Sequence, residues 1–174
     1  MTRVIKYATW TAAVSLVLAG IAGSTGIRIN TTVSIPRGIY ITSGEPVETG
    51  AYVIFCPPDN ALFAEARTRG YIGAGYCPGN YGYIMKKVLA AKNDVVSVTD
   101  QGVLVNGHEV PLSRPLLADG ANRPMPHYRI AGYTLADRQL LLMSDVTGLS
   151  FDGRYFGPVD IGHIKSVIHP VITW

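Results

Sequence analysis

Short strands separated by tight turns fill residues 83–112, which read YIMKKVLAAKNDVVSVTDQGVLVNGHEVPL. Three segments of this stretch are rich in apolar and β-branched residues, namely 83–89, 95–99 and 103–105. Asn106-Gly107 is the dipeptide that most strongly favours a two-residue hairpin, so residues 109–112 are predicted to form the returning strand. The stretch therefore predicts antiparallel β-structure.

The flanking sequence continues this pattern. Further strands are predicted at 38–42, 51–55, 139–143 and 162–174. Pro170 interrupts the last of these, which suits an edge strand because proline cannot donate to a neighbouring strand. Residues 60–68, capped by Asn60, are predicted as the one helix of this region, and 113–132 as a long loop. We expect a mainly β fold, either two small sheets or coiled sheets in a partial barrel, with one short helix.

The size and charge of the chain exclude several classes of protein. Its 174 residues and 18.7 kDa give room for a single domain with a short extension. Arg3 and Lys6 account for two of the 15 basic residues, which leaves 13 basic against 12 acidic residues from position 7 onward. That balance leaves little for a nucleic-acid surface. The two cysteines and four histidines do not indicate a zinc module, because no two histidines have metal-ligand spacing on a predicted helix, so we expect no metal and no nucleic-acid partner.

The N-terminus carries the pattern of an export or membrane segment. Arg3 and Lys6 precede residues 7–27, which contain no charged residue and are about long enough to span a bilayer. Small residues around Gly20-Ile21-Ala22 would also suit a signal-peptide cleavage site. Residues 1–27 are therefore predicted to form a hydrophobic helix, either a signal peptide or a membrane anchor, ahead of an exported domain at 28–174. A buried core helix fits the basic flank less well.

Export would give the two cysteines a structural role. Cys56 and Cys77 are 21 residues apart, and each is followed by proline. In an oxidising compartment the natural interpretation is a disulfide, which would stabilise the domain by about 3 kcal/mol. Two free thiols, buried as small apolar side chains, are the alternative.

Two segments carry groups suited to nucleophilic catalysis. Ser34 lies two residues before Pro36 on a kinked segment that can present a hydroxyl group, although an ordinary linker serine would show the same pattern. Within 83–89, Lys86 and Lys87 point to opposite faces of a strand that is apolar on both. Burial would lower the pKa of a lysine and let its neutral amine act as a general base. The pattern does not choose between the two lysines, and on an exposed strand both would reach water.

A third segment combines hydroxyl, carboxylate and guanidinium groups. Ser150, Asp152 and Arg154 lie within five residues, around the turn-forming dipeptide Asp152-Gly153. Taken alone, this segment predicts a hydrogen-bonded structural loop.

In this order behind a hydrophobic leader, the three segments resemble the signal peptidase I clan of Ser-Lys proteases. The second segment reads YIMKKV at 83–88, similar to the clan's Tyr-Ile-Lys-Arg strand, and the third reads SFDGRYFG at 150–157. Conjugative-transfer peptidases of the clan are more similar still, through NTTVSIPRGIY at 30–40, FCPP at 55–58 and PVITW at 170–174. The resemblance covers essentially the whole chain.

The resemblance implies a role for each matching residue. Ser34 would be the nucleophile and Lys86 the general base, with Lys87 in the clan's second basic position. Asp152 would support this pair of residues. Two further residues would support it from the same loop, Ser150 and Arg154.

The chain departs from signal peptidases next to the nucleophile. Only Ile35 separates Ser34 from Pro36, where signal peptidases have two residues. We therefore assign the oxyanion donor to the Ser34 backbone N–H, with help from Thr32. The departure also counts against ordinary signal-peptide processing.

The function implied by the resemblance belongs to plasmid conjugation by type IV secretion. The expected activity is a serine endopeptidase without a cofactor, which cleaves a pilin precursor and cyclises it through an acyl-enzyme. The expected location is the periplasm at the inner membrane, with other secretion components as further partners. Two alternatives are a general leader peptidase and a non-enzymatic component of the secretion apparatus.

Overall fold

The computed structural model describes residues 5, 7–11, 13 and 26–174. Residues 5, 7–11 and 13 are helical, and no helix among the described residues is long and apolar enough to cross a bilayer. Of the predicted leader at 1–27, whether signal peptide or anchor, residues 1–4, 6, 12 and 14–25 lie outside the described residues.

Antiparallel strands dominate the chain from residue 26 onward. They are β1 (Ile27–Asn30), β2 (Gly38–Ser43), β3 (Tyr52–Phe55), β4 (Ala74–Cys77), β5 (Ile84–Ala90), β6 (Val95–Val98), β7 (Val103–Val105), β8 (His108–Glu109), β9 (Ile130–Thr134), β10 (Gln139–Met143), β11 (Val159–Asp160) and β12 (Ile164–Thr173). Two α-helices, α1 (Ala61–Thr68) and α2 (Gly153–Phe156), and two 3₁₀ turns, Pro78–Asn80 and Ile161–His163, complete this part of the chain.

Eleven of the strands form two sheets, and β4 makes only isolated bridges to Tyr81. The larger sheet has the order β1-β2-β12-β3-β5-β10-β11, and the smaller has the order β8-β7-β6-β9. Within residues 26–174 both sheets are open, with β1 and β11 at the edges of the larger one. The mainly β prediction is confirmed in its two-sheet form.

The predicted hairpin around Asn106-Gly107 is confirmed, but its second strand is short. Asn106 has φ +52° and Gly107 has φ +80°, as a turn of this kind requires. The returning strand covers only β8 rather than residues 109–112, because Pro111 has no N–H group with which to extend the pairing.

The last strand lies deeper in the sheet than predicted. β12 lies between β2 and β3, so the expectation of an edge strand is wrong for its first half. β3 pairs only with Ile164–Ile168, whereas β2 continues along β12 to Thr173. Pro170 therefore falls where the strand has a neighbour on one side only, and a register shift follows it.

The predicted loop at 150–157 contains a second helix. The Asp152 side chain accepts a hydrogen bond from the Arg154 backbone N–H and caps the single turn α2. The expectation of one short helix is thus corrected to two within residues 26–174, while Asn60 caps α1 as predicted.

The two cysteines form the predicted disulfide. Cys56 and Cys77 are bonded, with Cα atoms 5.4 Å apart, so the alternative of two free thiols does not hold. The bond joins the ends of β3 and β4 inside an apolar cluster that also contains Phe63 and Phe151. It therefore ties the helix-bearing segment between them to the large sheet.

Candidate active site

A buried asparagine organises the loop that carries Ser34. Asn30 ends β1, and its Nδ2 lies 3.0 Å from each of the carbonyl oxygens of Thr32, Ile35 and Pro36. Its Oδ1 accepts hydrogen bonds from the Thr32 backbone N–H at 3.1 Å and from the Thr32 hydroxyl at 2.8 Å. The loop from β1 to β2 is thus wrapped around one amide, which fixes the direction of the Ser34 side chain.

A second anchor holds the end of the same loop. The Tyr40 hydroxyl donates to the Pro36 carbonyl at 2.6 Å. Ile35 and Tyr40 are both fully buried in one apolar cluster. Ile35 therefore points into the core, and the hydroxyl group of its neighbour Ser34 is left at the surface of a cleft.

The alternation of β5 separates the two lysines, as predicted. Lys86, Val88 and Ala90 are buried on one face of the strand, and only 2% of Lys86 is exposed. Lys87 lies on the other face, partly exposed to solvent. The structure therefore settles the choice that the sequence left open, in favour of Lys86 as the buried lysine.

The buried amine of Lys86 contacts two hydroxyl groups. Its Nζ lies 2.7 Å from Ser34 Oγ and 2.6 Å from Ser150 Oγ. The two serine oxygens are 3.4 Å apart. Three of the residues singled out in the sequence thus meet at one point, although they come from different elements of the fold.

Burial changes the acidity of the Lys86 ammonium. Desolvation lowers the pKa of Lys86 to about 8, because the charged form loses its hydration. The negative charge of Asp152 opposes this shift, and the positive charge of Arg154 adds to it. With a pKa of about 8, roughly a tenth of Lys86 is a neutral amine at pH 7, within hydrogen-bond distance of Ser34.

Asp152 and Arg154 form a fully buried ion pair beneath this group. Arg154 Nε lies 2.8 Å from Asp152 Oδ1, and Nη2 lies 3.0 Å from Oδ2. The Ser144 backbone N–H also donates to Asp152, at 3.1 Å. Arg154 Nη1 donates to the carbonyl of Leu112 at 2.8 Å. The pair joins β10, the 112–114 segment and α2, and so supports Ser150.

Lys87 has a separate partner on the opposite face of β5. Its Nζ lies 2.6 Å from Asp145 Oδ2 and 5.8 Å from the centre of the Tyr52 ring. The hydrogen bond to Asp145 raises the pKa of Lys87. Lys87 therefore holds its proton more tightly than Lys86 does, and it contacts neither Ser34 nor Ser150.

The two predicted oxyanion donors, the Ser34 backbone N–H and the Thr32 side chain, differ in their hydrogen bonds. The Ser34 backbone N–H makes no hydrogen bond to any other described residue, so it is available to a substrate oxygen. The Thr32 hydroxyl, in contrast, donates a hydrogen bond to Asn30 Oδ1. A role for Thr32 in binding an oxyanion would require this hydroxyl to turn away from Asn30.

A cleft of about 200 Å³ opens beside Ser34 and Lys86. We call it the first cleft. It is lined by residues 29–32 and Ser34, by residues 83–86, and by residues 71–73 with Phe151. A reacting group that enters it can reach both the hydroxyl and the amine.

Two residues of the site were not identified from the sequence. Asn30 was only part of a quoted segment, although an asparagine that ends a strand and precedes Thr31-Thr32 is typical of a side chain that bonds to the backbone two residues on. Asp145 had no signal that would pair it with Lys87. In the described part of the chain, no three His, Cys, Asp or Glu side chains cluster in a way that could hold a metal ion.

Comparison with known proteins identifies relatives over the whole chain. The family described as "Signal peptidase, peptidase S26" matches residues 3–172. The "Plasmid transfer protein TraF" of Escherichia coli is 54% identical over 182 residues, which cover 100% of both chains. The "Probable conjugal transfer protein TraF" of Sinorhizobium fredii is 39% identical over 86% of this chain and 78% of its own length.

One solved structure is also similar. A signal peptidase I from Enterococcus faecalis has 17% sequence identity to this chain and a TM-score of 0.40. The match covers 72% of this chain and 98% of that one.

Proposed function

The chain belongs to the signal peptidase family S26, a family of serine peptidases, and from this membership we propose that Ser34 is its nucleophile and Lys86 its general base. One observation carries the proposal: the Ser34 hydroxyl lies 2.7 Å from a lysine amine that is almost fully buried. A buried neutral amine at this distance can accept the serine proton, whereas a hydrated ammonium cannot.

The reaction follows from these contacts. The Lys86 amine accepts the Ser34 proton while Ser34 Oγ bonds to the carbonyl carbon of the substrate. The Ser34 backbone N–H donates to the oxygen that becomes negative. The ammonium of Lys86 then gives its proton to the leaving nitrogen, the C–N bond breaks, and an ester to Ser34 remains.

Ser150, Asp152 and Arg154 have supporting roles in this proposal. Ser150 holds the Lys86 amine at 2.6 Å, so the lysine cannot turn away from Ser34. Asp152 and Arg154 fix the loop that presents Ser150. Lys87, which pairs with Asp145, is assigned to structure rather than to proton transfer.

The edges of two strands indicate how a peptide would bind in the first cleft. β1 is an edge strand, so one side of its backbone is free. β5 pairs with β10 only from Lys87 onward, which leaves the start of β5 unpaired on that side. Both free edges border the first cleft, so we propose that the substrate binds there as an extended segment through backbone hydrogen bonds.

The proposed substrate is the pilin precursor of a conjugation system. Its support is the name of the relatives, which are plasmid and conjugal transfer proteins, and the similarity of the segments at 30–40 and 170–174 to conjugative-transfer peptidases. We further propose that the pilin's own N-terminal amine attacks the ester. A new C–N bond forms, the bond to Ser34 Oγ breaks, and the amine proton returns to the serine through Lys86.

The same proposal puts the domain at 28–174 in the periplasm, at the inner membrane, with residues 1–27 as the export signal or anchor. It is supported by the basic and then apolar N-terminal sequence and by the Cys56–Cys77 disulfide, which suits an oxidising compartment.

Mass spectrometry of the pilin tests the proposal. The pilin precursor of the same transfer system would be produced alone, with this chain, and with the Ser34→Ala variant. We expect a processed pilin whose mass is one water below that of the linear peptide, and unprocessed precursor with Ser34→Ala. A linear product would mean that water, not the N-terminal amine, attacks the ester. Processing by Ser34→Ala would contradict the assignment of Ser34 as the nucleophile.

A further inference from the structure

A second cleft opens on the other side of Ser34. It has a volume of about 390 Å³, almost twice that of the first. Residues 32–34 and 149–151 form the wall nearest to Lys86, and the remaining wall consists of Tyr71 and Tyr155 with part of the 113–129 loop. Ser34 therefore lies between two clefts.

The second cleft differs from the first in chemistry. Its lining is mainly apolar, from Leu116, Met125, Leu149 and Phe151, and no described strand runs along it with an unpaired edge. It therefore offers apolar contacts to the side chains of a substrate. Such contacts are not directional, unlike the backbone hydrogen bonds that an extended strand would make.

The far wall of the second cleft is held in place. Leu116 donates its backbone N–H to the Tyr155 hydroxyl at 2.9 Å. Asp119 binds Arg123 Nε at 2.7 Å and also accepts from the Tyr71 hydroxyl. These contacts connect the wall to α2 and to the segment that separates the two clefts, so the cleft exists before a ligand enters.

The two halves of a substrate place different demands on a peptidase. The acyl half stays attached through the ester to Ser34 and must keep its carbonyl group aligned for the second attack, so the directed contacts of the first cleft suit it. The leaving half must depart, so apolar contacts without backbone pairing suit it better. Ser150, which lines the second cleft and contacts Lys86, lies where a proton must pass to the leaving nitrogen.

We infer that the second cleft binds an apolar side chain of the polypeptide on the leaving side of the scissile bond. This inference rests on the proposed function. Once the leaving segment has gone, the emptied cleft lies beside the ester to Ser34, and it can then receive the residues that follow the attacking N-terminal amine. The second cleft thus selects both the leaving segment and the N-terminal segment that attacks the ester.

Cleavage of a peptide library by the full chain tests the inference, because the ends of the products report preferences on both sides of the bond at once. The test variant is Leu116→Ser combined with Leu149→Ser, at two side chains that are 39% and 75% exposed and so are not needed for folding. Leu117→Ser is the matched control, because Leu117 is 74% exposed and does not line the cleft. Thermal unfolding of each variant checks its fold.

We expect the wild type to prefer apolar residues on the leaving side. In the double variant this preference falls about tenfold, as the loss of one partly buried leucine contact implies, while the acyl-side preference stays the same. Leu117→Ser matches the wild type. With the pilin precursor, the double variant gives a lower ratio of cyclic to linear product.

Two results would overturn the inference: a changed preference on the acyl side, which would assign the cleft to the other half of the substrate, or no change on either side. These results differ from a failure of the proposed function, which would appear as cleavage by Ser34→Ala or as a wild type that cleaves no peptide.

Discussion

Lys86 Nζ lies 2.7 Å from Ser34 Oγ, although 52 residues separate the two in the sequence. Lys87, the next residue, instead binds Asp145 at 2.6 Å on the opposite face of β5. Desolvation lowers the pKa of Lys86 to about 8, and the bond to Asp145 raises the pKa of Lys87. The two lysines are adjacent in sequence, but strand alternation places them in different surroundings, so their pKa values shift in opposite directions.

Exchanging each lysine for arginine separates their roles. Lys86→Arg should lower kcat/KM by about 10²–10⁴-fold, because a guanidinium does not release its proton at working pH. Lys87→Arg should stay within about threefold of the wild type, because arginine also pairs with Asp145. Cleavage assays on both variants test this pair of expectations, and the reverse order of effects would contradict the assignment of Lys86.

The rate should follow the protonation of Lys86. Since the neutral amine is the active form, kcat/KM should rise with pH through an apparent pKa of about 8 and level off above it. A pH–rate profile measures this directly. A profile that rises only near the ordinary lysine value would contradict the buried base, even if Ser34 were confirmed.

A second profile, for Asp152→Asn, provides an independent check. Asp152 raises the pKa of Lys86 while Arg154 lowers it, so removing the carboxylate charge should move the inflection to lower pH. The maximal rate should fall by about 10- to 1000-fold, because the loop that holds Ser150 loses its ion pair. An inflection that moves upward would show that Asp152 does not act on Lys86 electrostatically.

Lys86 should reduce the stability of the fold. Its pKa falls from 10.5 to about 8 on folding, so from about pH 8 to 10.5 the unfolded chain holds a proton that the folded chain has lost. The free energy of unfolding therefore rises with pH over this window, and below it the folded state carries the full cost of the buried charge. At pH 7, Lys86→Met should stabilise the protein by about 1–3 kcal/mol.

Denaturant unfolding of the wild type and Lys86→Met at pH 7 and pH 10 measures this effect. The advantage of methionine should shrink at the higher pH, where the lysine is neutral in the folded state. A variant that is less stable than the wild type at pH 7 would show that the hydrogen bonds of Lys86 outweigh its burial.

Asn30→Asp should impair catalysis through the Ser34 loop. The substitution puts a carboxylate oxygen where Nδ2 now faces three carbonyl oxygens, so the loop must shift. We expect kcat/KM to fall about 100-fold, and the added negative charge in the first cleft should raise the apparent pKa of the rate profile rather than lower it. The measurements are the pH–rate profile and the thermal unfolding temperature.

Asn60→Asp is the matched control. Asn60 uses only its Oδ1, as an acceptor from the Phe63 N–H at the start of α1, and aspartate can do the same. This variant should keep both rate and stability. Equal losses in the two variants would mean that Asn30 has no special relation to Ser34.

Much of the fold could be predicted because it depends on local pattern. The strands at 103–105 and 139–143, the Asn106-Gly107 turn and α1 all follow from residues that are adjacent in sequence. β1 was not predicted, because its four residues follow directly on the apolar leader and do not stand out from it. The place of β12 between β2 and β3 could not be predicted either, since pairing between the two ends of the chain leaves no local trace.

In the candidate active site, too, local features could be predicted from the sequence and tertiary contacts could not. The opposite directions of Lys86 and Lys87 follow from strand alternation, but which face is buried depends on where the Ser34 loop packs, and that is a tertiary property. The resemblance to a known clan assigned the general base to Lys86, and in the structure Lys86, not Lys87, lies beside Ser34. The contacts of Asn30 and the pairing of Lys87 with Asp145 depend on loop shape, so only the folded chain reveals them.

The place of β12 also bears on when the protein becomes active. β2, which follows the Ser34 loop, pairs with β12, which is synthesised after the other described strands. A nascent chain that already contains Ser34 and Lys86 still lacks the strand that joins β2 to β3. Such long-range pairing forms late in folding. A chain that stops before β12 therefore holds both side chains of the proposed catalytic pair but lacks the strand pairing that brings β2 to β3.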